Sequence, residues 1–440
     1  MLYLPTRLSA LFLALTLGLH PEIARRFPRL LLGVLFARGR RTVTSWLRAA
    51  GITEEFKQAY RDVAAAGRNH EHSATAVLSA VERLLQPQDD LIVALDDTPT
   101  PRWGPFVEGA GIHHNPNPGP AGEKYLYGHV WVTLAALLDH PEQGVRALPL
   151  RAELYVRLKD ITATLRAQAI SFATKLQQAA QQLIWLYDAA DRARRILVVA
   201  DGAYAKRPLL VVIRRLQMTL VSRLPKNAAL WTLPPRKRRK GQRGPLPTYG
   251  KQRIDLSRRA QNPRGWQEVS CVQYREMETK RIKTFLATWR PACGAIRVVL
   301  VMEEGGWRAY FSTDLNMNAE RILELAADRG ALEETFKDVK EVWGAGQQQV
   351  RNVWANVAAF NMNAWMYSAV ELWAWEGSHE KLVDRSASPW DEADRRPSHA
   401  DKRRALQREM LRAEILAVLA DGPDEEGFRR LAERLLSLVA

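Results

Sequence analysis

Residues 91–98 read Leu91-Ile92-Val93-Ala94-Leu95-Asp96-Asp97-Thr98, and residues 196–204 read Ile196-Leu197-Val198-Val199-Ala200-Asp201-Gly202-Ala203-Tyr204. Each opens as an apolar run of strand length without polar alternation, the pattern of a strand buried on both faces. Each run stops at an aspartate. In open sheets covered by helices, ligands and catalytic groups collect at the carboxyl ends of such strands. A third run, His129-Val130-Trp131-Val132-Thr133-Leu134, predicts a neighbouring strand, and residues 152–190 carry a long helical pattern. Strands alternating with a long helix predict an α/β core.

Outward from this core the pattern changes. Residues 1–88 read as helices broken at Pro21, Pro28 and Gly51. Within residues 1–20, Arg7 precedes the apolar run and no convincing cleavage site follows it, which argues against a signal peptide. Leu8–Leu19 is too short to span a bilayer and predicts a buried amphipathic helix. Arg38–Arg48 offers basic residues, hydroxyls and Trp46 on a short helix. It reads either as a helix-turn-helix-like DNA contact or as a solvated basic face over a buried Trp46. Residues 216–318 hold short β-like pieces at Leu216–Leu220, Ala229–Leu233, Glu268–Gln273, Ile296–Met302 and Trp307–Ser312. After 318 the chain is helical again. Val353–Trp375 is apolar nearly all round, yet it holds Asn356, Asn361, Asn363 and Glu371, so it predicts a central core helix and not a lipid-facing one. The segments are 1–88, 89–215, 216–318, 319–376 and a mixed-charge helical tail at 377–440.

The 440 residues carry 64 Lys+Arg against 48 Asp+Glu, a formal net charge of +16. That excess points to an acidic partner, nucleic acid before an anionic membrane. The sharpest basic run is Arg236-Lys237-Arg238-Arg239-Lys240, suited to salt-dependent contact with a DNA backbone. Only Cys271 and Cys293 are present, in no CxxC or Cys/His cluster, so a disulfide scaffold and a structural zinc site are both disfavoured and a reducing, cytoplasmic compartment fits. His113 and His114 are adjacent and would face opposite ways on extended backbone; with His129 they suit a loop role or a DNA contact better than zinc. The glycines at 104, 109, 111, 119 and 122 form neither GxGxxG nor a Walker A loop.

Two carboxylates leaving neighbouring strands can share Mg²⁺, a hard ion that takes oxygen ligands. An aspartate after a strand can equally be a cap or turn residue. A third element is the helix around Arg329-Gly330-Ala331-Leu332-Glu333-Glu334-Thr335-Phe336-Lys337-Asp338-Val339-Lys340. Leu332, Phe336, Val339 and Trp343 make one core-facing stripe, bordered by Arg329, Glu333 and Lys340. These could form a helical ion pair, or a metal-binding carboxylate with two phosphate clamps.

Strand–Asp-x-Thr, strand–Asp-Gly-x-Tyr and the helical R-x3-E-x2-F-x3-K, in that order, resemble bacterial insertion-sequence DDE transposases of the cut-and-paste type. The helical element resembles their Y-x2-R-x3-E-x6-K signature at Arg329, Glu333 and Lys340, while its tyrosine position is Ala326. The resemblance spans roughly residues 89–376. It implies an RNase H-like α/β catalytic core with a helical N-terminal DNA-binding region, a β-rich basic insertion and a helical C-terminal tail. It implies Asp96, Asp201 and Glu333 as catalytic and metal-holding triad, with Asp96 favoured over Asp97 and Glu333 over Glu334. It implies Mg²⁺, with Mn²⁺ as substitute, and two-metal phosphoryl transfer: cleavage at transposon ends, then strand transfer into target DNA. Arg329, Lys340, Arg236, Lys237, Arg238, Arg239, Lys240, Arg40 and Arg41 are the expected DNA contacts. Trp231, Trp266, Trp289 and Trp307 are unranked candidates for stacking a flipped base, and each reads more readily as a core residue. The expected partner is double-stranded DNA, held by a homodimer in the bacterial cytoplasm at the nucleoid, with no membrane role. A nuclease without strand transfer, or a non-catalytic DNA-binding descendant, are the alternatives.

Overall fold

The two apolar runs pair with each other. In the computed structural model β1 (Leu91–Pro101) and β5 (Ile196–Ala200) are parallel neighbours, in register from Leu91 against Ile196 to Leu95 against Ala200. The described residues are 4–54, 56–115, 122–235, 237, 244–386, 388–420, 426–429 and 432. On one side of β1 lies an antiparallel meander of β3 (Tyr125–His140) and β4 (Gly144–Tyr155), with the short β2 (Gly111–His114) also on β3. On the other side β6 (Thr219–Arg223) runs parallel to β5. The order is therefore β4-β3-β1-β5-β6, with α6 (Ala163–Ala167), α7 (Lys175–Ala189) and α8 (Arg207–Arg215) in the crossovers.

The sheet does not stop at β6. It continues through β12 (Gly306–Ser312), β11 (Gly294–Glu303), β10 (Glu276–Trp289), β7 (Leu230–Trp231) and β8 (Arg253–Ile254), and β9 (Gln267–Gln273) pairs with β10. The β-rich stretch is thus an extension of the central sheet, twelve strands in all among the described residues. The short α9 (Leu256–Gln261) lies within it.

Helices cover both faces, as doubly buried strands require. One face packs on α7, on the N-terminal helices α1 (Thr6–Leu15), α2 (Pro21–Phe36), α3 (Val43–Ala49), α4 (Phe56–Arg68) and α5 (His70–Glu82), and on α12 (Val353–Ala374). The other packs on α10 (Ala319–Asp328) and α11 (Gly330–Glu341). Helix α12 is buried along almost its whole length, as its all-round apolarity predicts. None of the described helices is long and apolar enough to cross a membrane. The helix predicted over Leu8–Leu19 is α1, which ends earlier, at Leu15, and buries Leu8, Leu11, Phe12 and Leu15.

The asparagines of α12 now have a physical reason. Strand β4 is an edge, and edges leave backbone groups unpaired. The Asn361 amide pairs with both N–H and C=O of Ala152, at 3.0 Å each. Trp365 Nε1 donates to Leu150 O at 2.8 Å, and the Ser368 hydroxyl donates to Pro149 O at 2.9 Å. The helix seals the strand with side chains.

The last helices, α13 (His379–Leu382) and α14 (His399–Ala420), lock the assembly. The Arg403 guanidinium donates to Leu35 O and Ala37 O at the end of α2 and to Val342 O at the end of α11. Trp343 Nε1 donates to His399 Nε2 at 2.7 Å, so the proton on Nδ1 is the one facing Glu371 Oε1, also at 2.7 Å. Lys402 completes this buried group at 2.5 Å from the other Glu371 oxygen.

Several local expectations are corrected. The long helix expected over 152–190 is the end of β4, then α6 and α7. The strand expected at Leu216–Leu220 starts later, at Thr219, because Leu216 still caps α8 and Gln217 turns with a positive φ of 55°. Strands β2, β4, β8 and β10 were not expected, and His113 and His114, expected in a loop, lie on β2. The first half of β10 is exposed and polar, so no apolar run marks it.

Helices α4 and α12 touch at Gly67, where an added Cβ would lie 1.9 Å from Trp354 O and 3.1 Å from Ala358 N. Neither backbone can yield cheaply. Gly67→Ala should therefore lose about 2 kcal/mol in denaturant unfolding, despite the ~1 kcal/mol that alanine gains in a helix interior.

Candidate active site

Alternation along β1 and β5 decides which acids meet. Leu91, Val93 and Leu95 face the α7–α12 side, as do Ile196, Val198 and Ala200. Ala94, Leu197 and Val199 face the α10–α11 side. With a side-chain period of two, Asp96 and Asp201 continue the second set and Asp97 the first. The parallel register ends at Leu95 against Ala200, so Asp96 and Asp201 stand level. Asp96 lies inside β1, which runs on to Pro101, and not after the strand's end.

The Asp97 carboxylate is engaged from the opposite face, although the residue lines the same cleft as Asp96. The Tyr204 hydroxyl donates to it at 2.8 Å and Lys175 Nζ lies at 2.6 Å. Burial, then the Asp97 carboxylate, pushes the Tyr204 phenol well above its usual range, so it stays a donor.

Glu333 sits in the first turn of α11, presented to solvent. Asp96, Asp201, Arg329, Glu333, Lys337 and Lys340 line one cleft of about 1130 Å³. Leu332 and Phe336 pin α11 to the sheet, and Val339 and Trp343 are buried as the stripe predicts. Arg329 caps α11 and reaches two acids at once: Nη1 is 2.6 Å from Asp96 Oδ2 and Nη2 is 2.8 Å from Glu333 Oε1. Burial raises the Asp96 carboxyl from 3.8 to about 6 against the lowering pull of Arg329, and Asp97 and Asp201 add to the rise. Burial lowers the Lys340 ammonium. Ala326, at the signature's tyrosine position, packs against the α10–α11 core.

The donor set is oxygen only, which suits a hard divalent cation. Among the described residues no three His, Cys, Asp or Glu stand close enough to hold one. Between two of the acids, Asp96 and Glu333, lies the Arg329 guanidinium. The donor chemistry fits Mg²⁺, with the arginine in competition for the same oxygens.

The other expected contacts are dispersed. Arg40 lines a separate cavity of about 370 Å³ that shares Arg102, Trp103 and Gly104 with the cleft. The Arg41 backbone N–H donates to Gln347 Oε1 at 2.9 Å, and burial lowers its guanidinium. Lys237 is exposed, while Arg236, Arg238, Arg239 and Lys240 lie outside the described residues. Trp289 is buried against Phe311. Trp231, Trp266 and Trp307 carry Arg290, Lys283 and Lys226 over their rings at 5.0, 4.8 and 5.0 Å. His113 and His129 are buried, which lowers them to about 4 and about 3; His114 faces out, as alternation along β2 requires.

Sequence reasoning missed Arg102 and Trp103. The Arg102 guanidinium donates to the carbonyls of Gly346, Gln348 and Val350 and to Asn356 Oδ1. This fixes the loop that leaves the exposed Trp103 at the cleft wall. Nothing local marks it, because its partners lie about 250 residues away.

Folding raises the Asp96 carboxyl, so the folded chain holds that proton more tightly than the unfolded one. The associated stability is full below 3.8 and is lost as pH rises through about 6. Asp96→Asn removes this dependence. In urea unfolding the variant should gain on wild type as pH rises across that window; a pH-independent difference contradicts the assignment.

A family model described as "DDE superfamily endonuclease" matches residues 15–293. The match takes in Asp96 and Asp201 and stops before Arg329 and Glu333. No curated protein matches the chain. The mixed α/β architecture, with its large central sheet and flanking helices, is compatible with that assignment. The match spans well over half of the chain, and the chain belongs to the DDE superfamily of endonucleases.

Proposed function

We propose that this endonuclease is a DNA transposase that cuts at transposon ends and joins them to target DNA. The observation that carries the reading is a single cleft whose lining includes Asp96, Asp201 and Glu333 together with Arg329, Lys337 and Lys340. The strand order β4-β3-β1-β5-β6, with acids on β1 and just past β5, supports an RNase H-like core.

In this reading Asp96, Asp201 and Glu333 hold divalent cations, Mg²⁺ or Mn²⁺. Two such ions supply a lowered water pKa and charge stabilisation on the leaving oxygen in an in-line displacement. The chain's own residues do the rest. Burial of Asp96 between sheet and α11 keeps its oxygens directed into the cleft. Lys337, Lys340 and Arg329 attract the scissile strand by its phosphates. Asp97, tied to Tyr204 and Lys175, sets the orientation of β1 from behind. The segments 1–88, with exposed Arg40, and 216–318, with exposed Lys237, Arg258 and Arg264, would grip DNA away from the cut. Two ends must be held together for strand transfer, which calls for a homodimer on DNA. A chromosomal substrate places the work in the cytoplasm, at the nucleoid. The alternative, cleavage without strand transfer, uses the same site.

The test uses DNA carrying the flanking element ends. Wild type should show Mg²⁺-dependent cleavage. Asp201→Asn and Glu333→Gln should retain DNA binding and lose cleavage by about a thousandfold or more, since several kcal/mol of charge stabilisation go with each acid. Joined products from a labelled end fragment establish transfer; cleavage without them makes the protein a nuclease. Variants that cut like wild type would overturn the triad.

A further inference from the structure

Arg329 stands where the candidate metal ligands need a cation. One guanidinium spans Asp96 on β1 and Glu333 on α11, at 2.6 and 2.8 Å. Asp201 lines the same cleft as this fork. A guanidinium holds its two partners through a planar fork that matches carboxylate and phosphate equally well. It is also a bulky cation, and with it between Asp96 and Glu333 these acids and Asp201 make no compact group able to hold an ion.

A divalent ion and the Arg329 fork thus compete for the same oxygens. The side chain is 23% exposed at the cleft wall and springs from the junction of α10 and α11. Its natural alternative acceptor is a backbone phosphate, drawn to the same wall by Lys337 and Lys340. An arriving phosphate meets three carboxylates and is repelled unless their charge is offset. Both conflicts are relieved by one exchange, in which the guanidinium passes from carboxylates to phosphate and divalent cations take its place. The acids gain double charges, and the phosphate gains a bidentate partner.

We infer that Arg329 is the internal counter-ion of the carboxylate site, displaced by divalent metal, and that DNA binding and metal binding reinforce each other because a phosphate takes up the released guanidinium. This rests on the reading of Asp96, Asp201 and Glu333 as metal ligands. Off DNA the centre stays poor in metal and does not cut indiscriminately. The coupling is reciprocal: the factor by which DNA tightens metal is the factor by which metal tightens DNA.

The experiment measures Mn²⁺ binding to the full chain from the free-ion paramagnetic resonance signal. It is run with and without a mixed-sequence duplex oligonucleotide, subtracting the ion bound by DNA alone. The proteins are wild type, Arg329→Gln, Arg329→Lys and the double variant Asp96→Asn/Asp201→Asn. Without DNA, Arg329→Gln should bind Mn²⁺ about tenfold more tightly than wild type, within the usual span of coupling between ligands. Arg329→Lys, which keeps the charge but not the fork, should fall between and guards against a folding defect in the glutamine variant. Duplex should tighten Mn²⁺ on wild type by a similar factor and on Arg329→Gln far less. Mn²⁺ should tighten duplex binding to wild type equally. If Arg329→Gln binds Mn²⁺ no better than wild type, or duplex tightens both alike, the counter-ion role is overturned while the ligand assignment stands. If the double aspartate variant binds Mn²⁺ like wild type, the ligand assignment fails and takes the proposal with it.

Discussion

The site depends on the parallel pairing of β1 with β5. That ladder sets Leu95 against Ala200, and from there the two-residue period of a strand leaves no choice. Asp96 and Asp201 share the face that α10 and α11 cover, and Asp97 is turned to the other side. A slip of one residue would send every side chain of β1 to the wrong layer. Apolar burial on both faces holds the register. Ala94, Leu197 and Val199 pack beneath α11, and Leu91, Val93 and Leu95 pack against the opposite layer. The same burial makes the placement expensive for a charged group, and Asp96, at the margin of this dry region, shows it in its raised carboxyl.

The rest of the architecture supports that junction from a distance. Helix α11 brings Glu333 to the strand ends because Leu332 and Phe336 are buried against the sheet. The Thr335 hydroxyl, on the residue before Phe336, donates to Ala147 O on β4 at 2.9 Å. The other end of α11 is held by α14 through Trp343, His399 and Arg403. The loop after α11 fastens both the Arg41 segment, through Gln347 and Gln348, and the Arg102 segment. Basic N-terminal residues, an exposed aromatic loop and the acids are therefore mechanically connected through residues 344–350.

What the sequence made legible follows from burial. Strands β1 and β5 stood out because both faces are apolar, and α12 because all its faces are. Strand β4 escaped notice because Pro149 interrupts it and because its edge is satisfied by Asn361, Trp365 and Ser368, some 200 residues on. Strand β10 escaped because Glu276–Lys283 is largely exposed and polar. At the site, the i,i+4 spacing of Arg329 and Glu333 was visible, but the reach of Arg329 to Asp96 across 233 residues was not. Which of Asp96 and Asp97 shares a sheet face with Asp201 depends on the β1–β5 register, a tertiary fact that no local pattern states. The basic run at 236–240 was read from composition alone.

Arg403 also imposes an order of events. It joins carbonyls of Leu35 and Ala37, 368 and 366 residues earlier in the chain, to Val342 at the end of the helix that bears Glu333. A nascent chain emerging from the ribosome has β1, β5 and even α11 long before α14 exists. Until then the carbonyls closing α2 and α11 lack their arginine, and Glu371 in α12 lacks Lys402 and His399. Contacts this distant in sequence are late ones, since the chain between them must be ordered before they repay its entropy. The helix that carries Glu333 is thus clamped only once α14 has been made, so that a chain shortened before α14 keeps the β1–β5 register but lacks the arginine that fastens the end of α11 to α2.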